Sequence, residues 1–316
     1  MKYSFIIPVY NRPDEVEELL QSLAFQTFKD FEVVIVEDGS ERDCSAVAGN
    51  SALDVKYFRK ENSGPGPARN YGAQRASGQY LIFLDSDVVV PPGYLSEVER
   101  ELLEKDSDAF GGPDRADESF SDVQKAINYS MTSFFTTGGI RGGKKKMDKF
   151  YPRSFNMGIK AELYSALGGF SQMRFGEDID LSIRIFKSGA SCRLMPGAWV
   201  YHKRRTDFRK FFRQVHNSGI ARINLYKKYP ESLKLVHLLP AAFTVSCILV
   251  FPEILLSLLV FADSSIRNKS LRIGALSVWA ALVQLTGYGT GFIGAWFQRC
   301  LLGRDEYSAF KKNFYK

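Results

Sequence analysis

Asp85-Ser86-Asp87 stands directly after the apolar run Leu81-Ile82-Phe83-Leu84. Two carboxylates one residue apart, just past a strand, can turn toward one hard cation. Mg2+ or Mn2+ takes such oxygen ligands and bridges them to substrate phosphates. Asp38, in Val36-Glu37-Asp38-Gly39-Ser40, ends another apolar run. A carboxylate there can accept hydrogen bonds from the N–H edge of a nucleobase. A third acidic group, Gly176-Glu177-Asp178-Ile179-Asp180-Leu181, opens a helix expected over residues 177–188. Neighbouring carboxylates repel, so Glu177 is expected to raise the pKa of Asp178 toward that of a useful general base, although chemistry alone does not decide which of the two acts as that base.

The elements that must position these groups alternate. Residues 3–9, 31–37 and 80–84 are apolar or β-branched runs, with a further strand expected over Asp54–Phe58. Between them, Val16, Leu19, Leu20 and Leu23 recur at helical spacing, behind acidic residues that suit a helix N-terminus. A second helix is expected over Pro67–Ser77, with Pro67 as its first residue. Strand and helix alternating at these lengths give an α/β fold with a mostly parallel central sheet, covered on both faces by helices. Ligands of such sheets sit beyond the carboxyl ends of the strands. That rim holds Pro8, Val9 and Tyr10, then Asp38, then Asp85, Ser86 and Asp87, and the second helix brings Arg69 and Asn70 toward a bound phosphate or sugar. No GxGxxG follows the first strand and no GxxxxGK[ST] occurs, so dinucleotide-binding and P-loop readings fail. Further along, Asn156 and the pair Asp114-Arg115 are candidates to face an acceptor. Residues 136–149, with four glycines and five basic side chains, are a candidate loop over a donor diphosphate or anionic lipid.

Four short motifs in order, Phe5-Ile6-Ile7-Pro8-Val9-Tyr10-Asn11, Val36-Glu37-Asp38-Gly39-Ser40, Gly66-Pro67-Ala68-Arg69-Asn70 and Phe83-Leu84-Asp85-Ser86-Asp87, resemble the inverting nucleotide-sugar glycosyltransferases of family 2. The 176–181 segment looks like that family's catalytic-base segment. The resemblance runs from residue 1 to about 230 and implies the glycosyltransferase type A fold and a metal-dependent enzyme. It implies that Pro8 to Tyr10 line the nucleotide pocket and Asp38 holds the base. Asp85 and Asp87 would bracket ribose and metal–diphosphate, His202 would complete the Mg2+ or Mn2+ site, and Asp178, beside Glu177, would be the catalytic base. UDP is the nucleotide the family uses by default. The QxxRW motif of the processive synthases is absent. The acidic motif is followed by Val88-Val89-Val90-Pro91-Pro92 rather than the DLQ-like stretch of the polyprenyl-phosphate sugar transferases. A sugar hydroxyl is therefore the expected acceptor; the alternatives are transfer to a polyprenyl phosphate and a non-catalytic membrane scaffold.

Downstream, residues 203–234 hold ten basic and two acidic side chains interleaved with apolar ones. A basic helix with an apolar stripe suits a membrane surface; within it, Arg209 and Arg213 are candidates to meet the leaving diphosphate. Residues 273–297 carry no charged side chain, and Gly287 and Gly291 are spaced for close helix contact. With Leu235–Ala262 as partner they are expected to form a transmembrane hairpin. Basic residues weigh eight to three toward the near side, which places the catalytic domain in the cytoplasm at the inner membrane. The expected plan is a catalytic domain over 1–202, an interfacial region over 203–234, the hairpin over 235–302 and a basic tail over 303–316. The partners expected are a nucleotide-sugar donor, a lipid-linked saccharide acceptor and membrane phospholipid.

Composition agrees with this plan. The chain has 316 residues, 45% hydrophobic and 24% charged, which excludes disorder and fibrous repeats. The net charge of +7 comes without a recognition motif or aromatic platform for nucleic acid, so none is expected as a partner. The four cysteines, Cys44, Cys192, Cys247 and Cys300, have no metal-ligand spacing, which suits a reducing compartment. The N-terminus turns acidic before any long apolar run, unlike a signal peptide.

Overall fold

The structure, a computed structural model, describes residues 1–137, 150–246 and 251–305. It divides into two compact units. The first takes residues 1–115 and 150–202, and the second takes the described residues of 116–137 and 203–305. Residues 116–137, expected within the catalytic domain, thus group with the C-terminal helices.

In the first unit the strands are β1 (Tyr3–Val9), β2 (Phe31–Asp38), β3 (Val55–Lys60), β4 (Tyr80–Leu84), β5 (Val88–Val89), β6 (Ala109–Gly111), β7 (Asp114–Arg115), β8 (Asn156–Lys160), β9 (Cys192–Leu194) and β10 (Val200–His202). The helices are α1 (Pro13–Ala24), α2 (Ser45–Gly49), α3 (Pro65–Ala73), α4 (Tyr94–Glu104), α7 (Ala161–Ala166) and α8 (Glu177–Lys187). A seven-stranded sheet runs β3-β2-β1-β4-β8-β6-β9, with only β8 antiparallel to its neighbours. Alternate side chains serve two cores. Phe5, Ile7, Val33 and Ile35 pack with Val16, Leu19 and Leu23 of α1 and with Leu95 and Val98 of α4. Ile6, Val34, Val36 and Phe83 pack with Ala68 of α3 and Leu181 and Ile185 of α8 on the other face. Burial on both faces explains why β2 reads as an unbroken apolar run.

The helix expected from Pro67 begins instead at Pro65. Either proline lacks the N–H that an opening turn leaves unused, and Gly64, at φ +98°, supplies the entry bend. At Gly72 a Cβ would lie 2.8 Å from Ile6 and 3.0 Å from Val36, so a bare backbone is what lets α3 lie close on the sheet. The small sheet β5-β10-β7 has a separate task. Its register sets His202 opposite Val88, and Val200 opposite Asp114.

The second unit holds α5 (Asp122–Thr132), α6 (Phe134–Thr137), α9 (Phe208–Lys228), α10 (Leu235–Ser246), α11 (Phe251–Asn268) and α12 (Leu271–Trp296). Among the described residues, one helical stretch, Leu271–Leu301, is long and apolar enough to cross a membrane by length and composition. Of the expected partner Leu235–Ala262, the described residues form α10, with Pro240 inside it, and α11, which runs past Ala262 to Asn268. The glycine pair faces the basic helix rather than an apolar partner. A Cβ at Gly287 would meet Val215 and Phe212, and one at Gly291 would strike the His216 carbonyl. The expected glycine-rich loop lies, from residue 138 to 149, outside the described residues.

One buried charge ties the first unit together. Glu32 on β2 is 1% exposed, accepts from Ser4 and Ser77, and pairs with Lys56 of β3 at 2.5 Å. Burial would raise its pKa, but these partners outweigh it and bring it down to about 2. A carboxylate depressed on folding contributes stability above its unfolded pKa, and that contribution is lost as pH falls through the folded value. Glu32→Gln is therefore expected to lose on the order of 2 kcal/mol at pH 7. It should also lose less stability than wild type between about pH 4.5 and pH 2, as read by urea unfolding across that window.

Candidate active site

The three acidic groups meet at the carboxyl rim of the first unit's sheet. Asp38 ends β2 and lies 4% exposed. It accepts from the Ser63 and Gly64 amides at 3.0 and 2.8 Å and from the Lys60 ammonium at 2.7 Å. The turn depends on Gly39, at φ +78°, where a Cβ would lie 2.6 Å from the Asn62 nitrogen.

Past β4, Asp85 and Asp87 take different partners. The Arg69 guanidinium, buried on α3, donates to Asp85 at 2.6 Å and to Glu177 at 3.1 Å. One arginine thus joins the Asp85 turn to the start of α8, and it also lies over the Phe170 ring. Asp87 receives Arg12 at 2.6 Å and lies 3.3 Å from the His202 Nε2. Burial alone would raise the Asp87 carboxyl, but His202 and Arg12 outweigh it and hold it far below the usual carboxylate range. The His202 ring packs against Phe155, and its Nδ1 lies 3.8 Å from Asp114.

At α8, Gly176 at φ +84° precedes Glu177 and Asp178, both buried. Arg153 donates to Asp178 at 2.7 Å, and the carboxylate also accepts from the Ile179 amide. The expected effect of the pair on each other is reversed. Burial and the neighbouring Asp178 charge raise Glu177 to about 7. Burial would raise Asp178 too, but Arg153 and the amide outweigh it and lower its pKa. The repulsion falls on Glu177 because Asp178 has its own arginine. Asp180 is structural: it pairs with Arg184, which also donates to the carbonyls of Leu167 and Gly169.

Asp85, Asp87 and His202 each offer a ligand atom, all within 4.8 Å of one another. Two carboxylate oxygens and one imidazole nitrogen fit a divalent ion such as Mg2+ or Mn2+.

Several expected contacts lie elsewhere. Asn156 is fully buried; its amide donates to the Ala198 carbonyl at 2.8 Å and accepts from the Tyr94 hydroxyl at 2.6 Å, so both ends of its side chain are engaged within the fold. Asn70 serves the backbone of Phe170 through two hydrogen bonds and accepts from Tyr164. The Val9 side chain belongs to the core, while Pro8 and Tyr10 are half-buried and Ser86 is buried. Asp114 faces His202 rather than an acceptor, and Arg115 stacks on Trp199. Arg209 and Arg213 are exposed on α9, in the second unit. Sequence reasoning gave no role to Arg12, Lys60 or Arg153. Arg12 had a signal, since it follows β1 by three residues and so stands at the same rim.

The sequence model described as glycosyl transferase family 2 matches residues 4–167, just over half of the chain. The chain belongs to this family. It is 27% identical over 249 residues to the GalNAc(5)-diNAcBac-PP-undecaprenol beta-1,3-glucosyltransferase of Campylobacter jejuni, covering 75% of this chain and 74% of that one. An uncharacterized glycosyltransferase of Rickettsia felis is 36% identical over 137 residues, 43% of this chain and 22% of that protein, so the family 2 chain spans under a quarter of that relative's length. The structure of the mannosyltransferase PcManGT from Pyrobaculum calidifontis, in complex with GDP-Man and Mn2+, shares the fold. It superposes with a TM-score of 0.58 at 18% identity, over 90% of this chain and 85% of that one. The glycosyltransferase type A α/β fold expected from the sequence is thus present.

Asn156→Ala separates a structural role from a binding one. It leaves the Tyr94 hydroxyl and the Ala198 carbonyl without this partner, an expected loss of about 2–3 kcal/mol. Nucleoside diphosphate affinity, measured by calorimetry below the unfolding midpoint, should stay within twofold of wild type.

Proposed function

We propose that this family 2 glycosyltransferase moves a sugar, with inversion, from a nucleoside-diphosphate donor to a hydroxyl of a lipid-linked saccharide. We place the reaction at the cytoplasmic face of the inner membrane. The observation that carries the chemistry is the Arg69 bridge: a single buried guanidinium holds the Asp85 turn and the Glu177-Asp178 helix start at one rim. Leaving-group stabilisation and proton removal are thereby available in one place.

Asp178 takes the proton from the acceptor hydroxyl as that oxygen attacks the anomeric carbon opposite the departing diphosphate. Its lowered pKa keeps it ionised and ready at neutral pH, and Arg153 fixes which way its oxygens point. Glu177 stays clamped to Arg69 and positions that arginine. Asp38, with its ring of N–H donors, defines the base end of the donor pocket beside Pro8 and Tyr10. Asp85, Asp87 and His202 would hold Mg2+ or Mn2+, which when bound supplies electrostatic stabilisation to the diphosphate. The Asp114 carboxylate lies 3.8 Å from the other His202 ring nitrogen.

The acceptor class rests on the Campylobacter relative, whose name specifies an undecaprenol-linked saccharide, and on the exposed apolar helices of the second unit. UDP remains the default nucleotide.

A screen of UDP-, GDP- and dTDP-sugars, with Mn2+ or Mg2+ and lipid extract, tests the proposal. One donor should be consumed, and product should form on a lipid-linked saccharide rather than on a bare polyprenyl phosphate. Chelation with EDTA should abolish turnover. Asp178→Asn should lower kcat about 10²- to 10⁴-fold with little change in donor KM, whereas Asp85→Asn should impair donor use as well. Full turnover in either variant, or after chelation, would remove the assignment.

A further inference from the structure

Among the described residues, the second unit carries an exposed apolar surface. On α11, Ile254, Leu255, Leu258, Leu259 and Ile266 recur along one side, and Leu258 and Ile266 are 61% and 77% exposed. The opposite side of the same helix is packed: Val260 joins Tyr129 and Ala281, and Ser264 donates to Ser277. On α10, Leu235 and Leu239 are also exposed. Scattered exposed leucines are ordinary, but a stripe on consecutive helices marks an interaction surface.

The flanks say what meets it. Lys227, Lys228 and Lys234 stand exposed where α10 begins, and Lys269 and Arg272 where α11 gives way to α12. Trp279 and Trp296 are exposed as well. Exposed cations thus stand at both ends of the α10–α11 apolar stripe, and exposed tryptophans lie on α12, a composition that suits the surface of an anionic phospholipid leaflet.

Crossing is a different matter. α12 packs against the polar helices α9 and α5 as well as against α10 and α11. Ala280 packs with Phe211 of α9, Thr290 meets His216, and Arg299 reaches Asn224. On the same helix α9, Arg209, Lys210, Arg213, Gln214, Asn217 and Arg222 interrupt any apolar run. Ser130 of α5 donates to Gln284 in the middle of α12. Hydrocarbon would leave those charges without water. The α11–α12 connection is also tied to α5. Arg272 pairs with Asp122 at 3.2 Å, and Tyr129 donates to Asp263 at 2.6 Å. Asp122 follows Arg115, the end of β7, by seven residues, which reach at most about 25 Å. A hydrocarbon core is about 30 Å thick. A connection on the far side would have to draw α5 through it.

We infer that the second unit docks monotopically on one anionic leaflet, with α10 and α11 immersing the apolar stripe and no helix crossing. The inference builds on the membrane placement proposed above and is independent of the transfer chemistry.

Two measurements test it. In right-side-out and inside-out membrane vesicles, Lys228→Cys and Lys269→Cys are each treated with a membrane-impermeant maleimide, with the wild-type chain as background. Both should label from the same side. Labelling from opposite sides would show a crossing and overturn the inference. In flotation with phosphatidylglycerol vesicles, the Leu255→Glu/Leu258→Glu double variant should bind at least tenfold less than wild type, with an unchanged thermal unfolding midpoint. Equal flotation of the double variant, or wild type that stays off the vesicles and elutes as a dimer, would equally overturn it. The unfolding midpoint distinguishes lost docking from lost fold whether or not any sugar is transferred.

Discussion

Carboxylates crowded at the rim of one sheet repel each other and resist burial, and the first unit is organised around answering them. Each is answered by a cation or an amide. Arg12 answers Asp87, Arg69 answers Asp85 and Glu177, Arg153 answers Asp178, and Lys60 with two backbone amides answers Asp38. A buried charge without such a partner is strongly unfavourable. The pairing also sorts the acids by role. Asp178 keeps a private arginine and stays ionised, whereas Glu177 shares Arg69 with Asp85 and is pushed to about 7.

The geometry follows from local rules. Parallel strands β1, β2 and β4 deliver their carboxyl ends to one side, so groups far apart in sequence become neighbours. Glycines at 39, 64 and 176 take positive φ where the chain must turn sharply into or past the site. The three-stranded sheet then adds what the main sheet lacks. Pairing of β10 with β5 sets His202 across from Val88, the residue after Asp87.

Much of this was legible in the chain because it is periodic or punctuated. Unbroken apolar runs mark strands buried on both faces, and acids just past them mark the rim. What stayed hidden depends on long-range partners. Nothing local distinguishes Asn156 as a buried clamp from Asn156 as a ligand, since its partners Tyr94 and Ala198 lie far off in sequence. The Glu177–Asp178 pair could be seen to repel, but which of them yields is decided by Arg153, 25 residues upstream of Asp178. The apolar C-terminal region was ambiguous for a related reason. A 25-residue uncharged run looks the same whether lipid or other helices surround it, and only the packing of Gly287 and Gly291 on α9 shows which faces are covered.

The central claim is that Asp85, Asp87 and His202 act together on a divalent ion and the diphosphate it accompanies. An electron paramagnetic resonance titration of Mn2+ into the intact protein, with a nucleoside diphosphate present, tests this most directly. The account predicts one bound Mn2+ in wild type and at least tenfold weaker binding in both Asp87→Asn and His202→Ala. Wild-type affinity in both variants would contradict it.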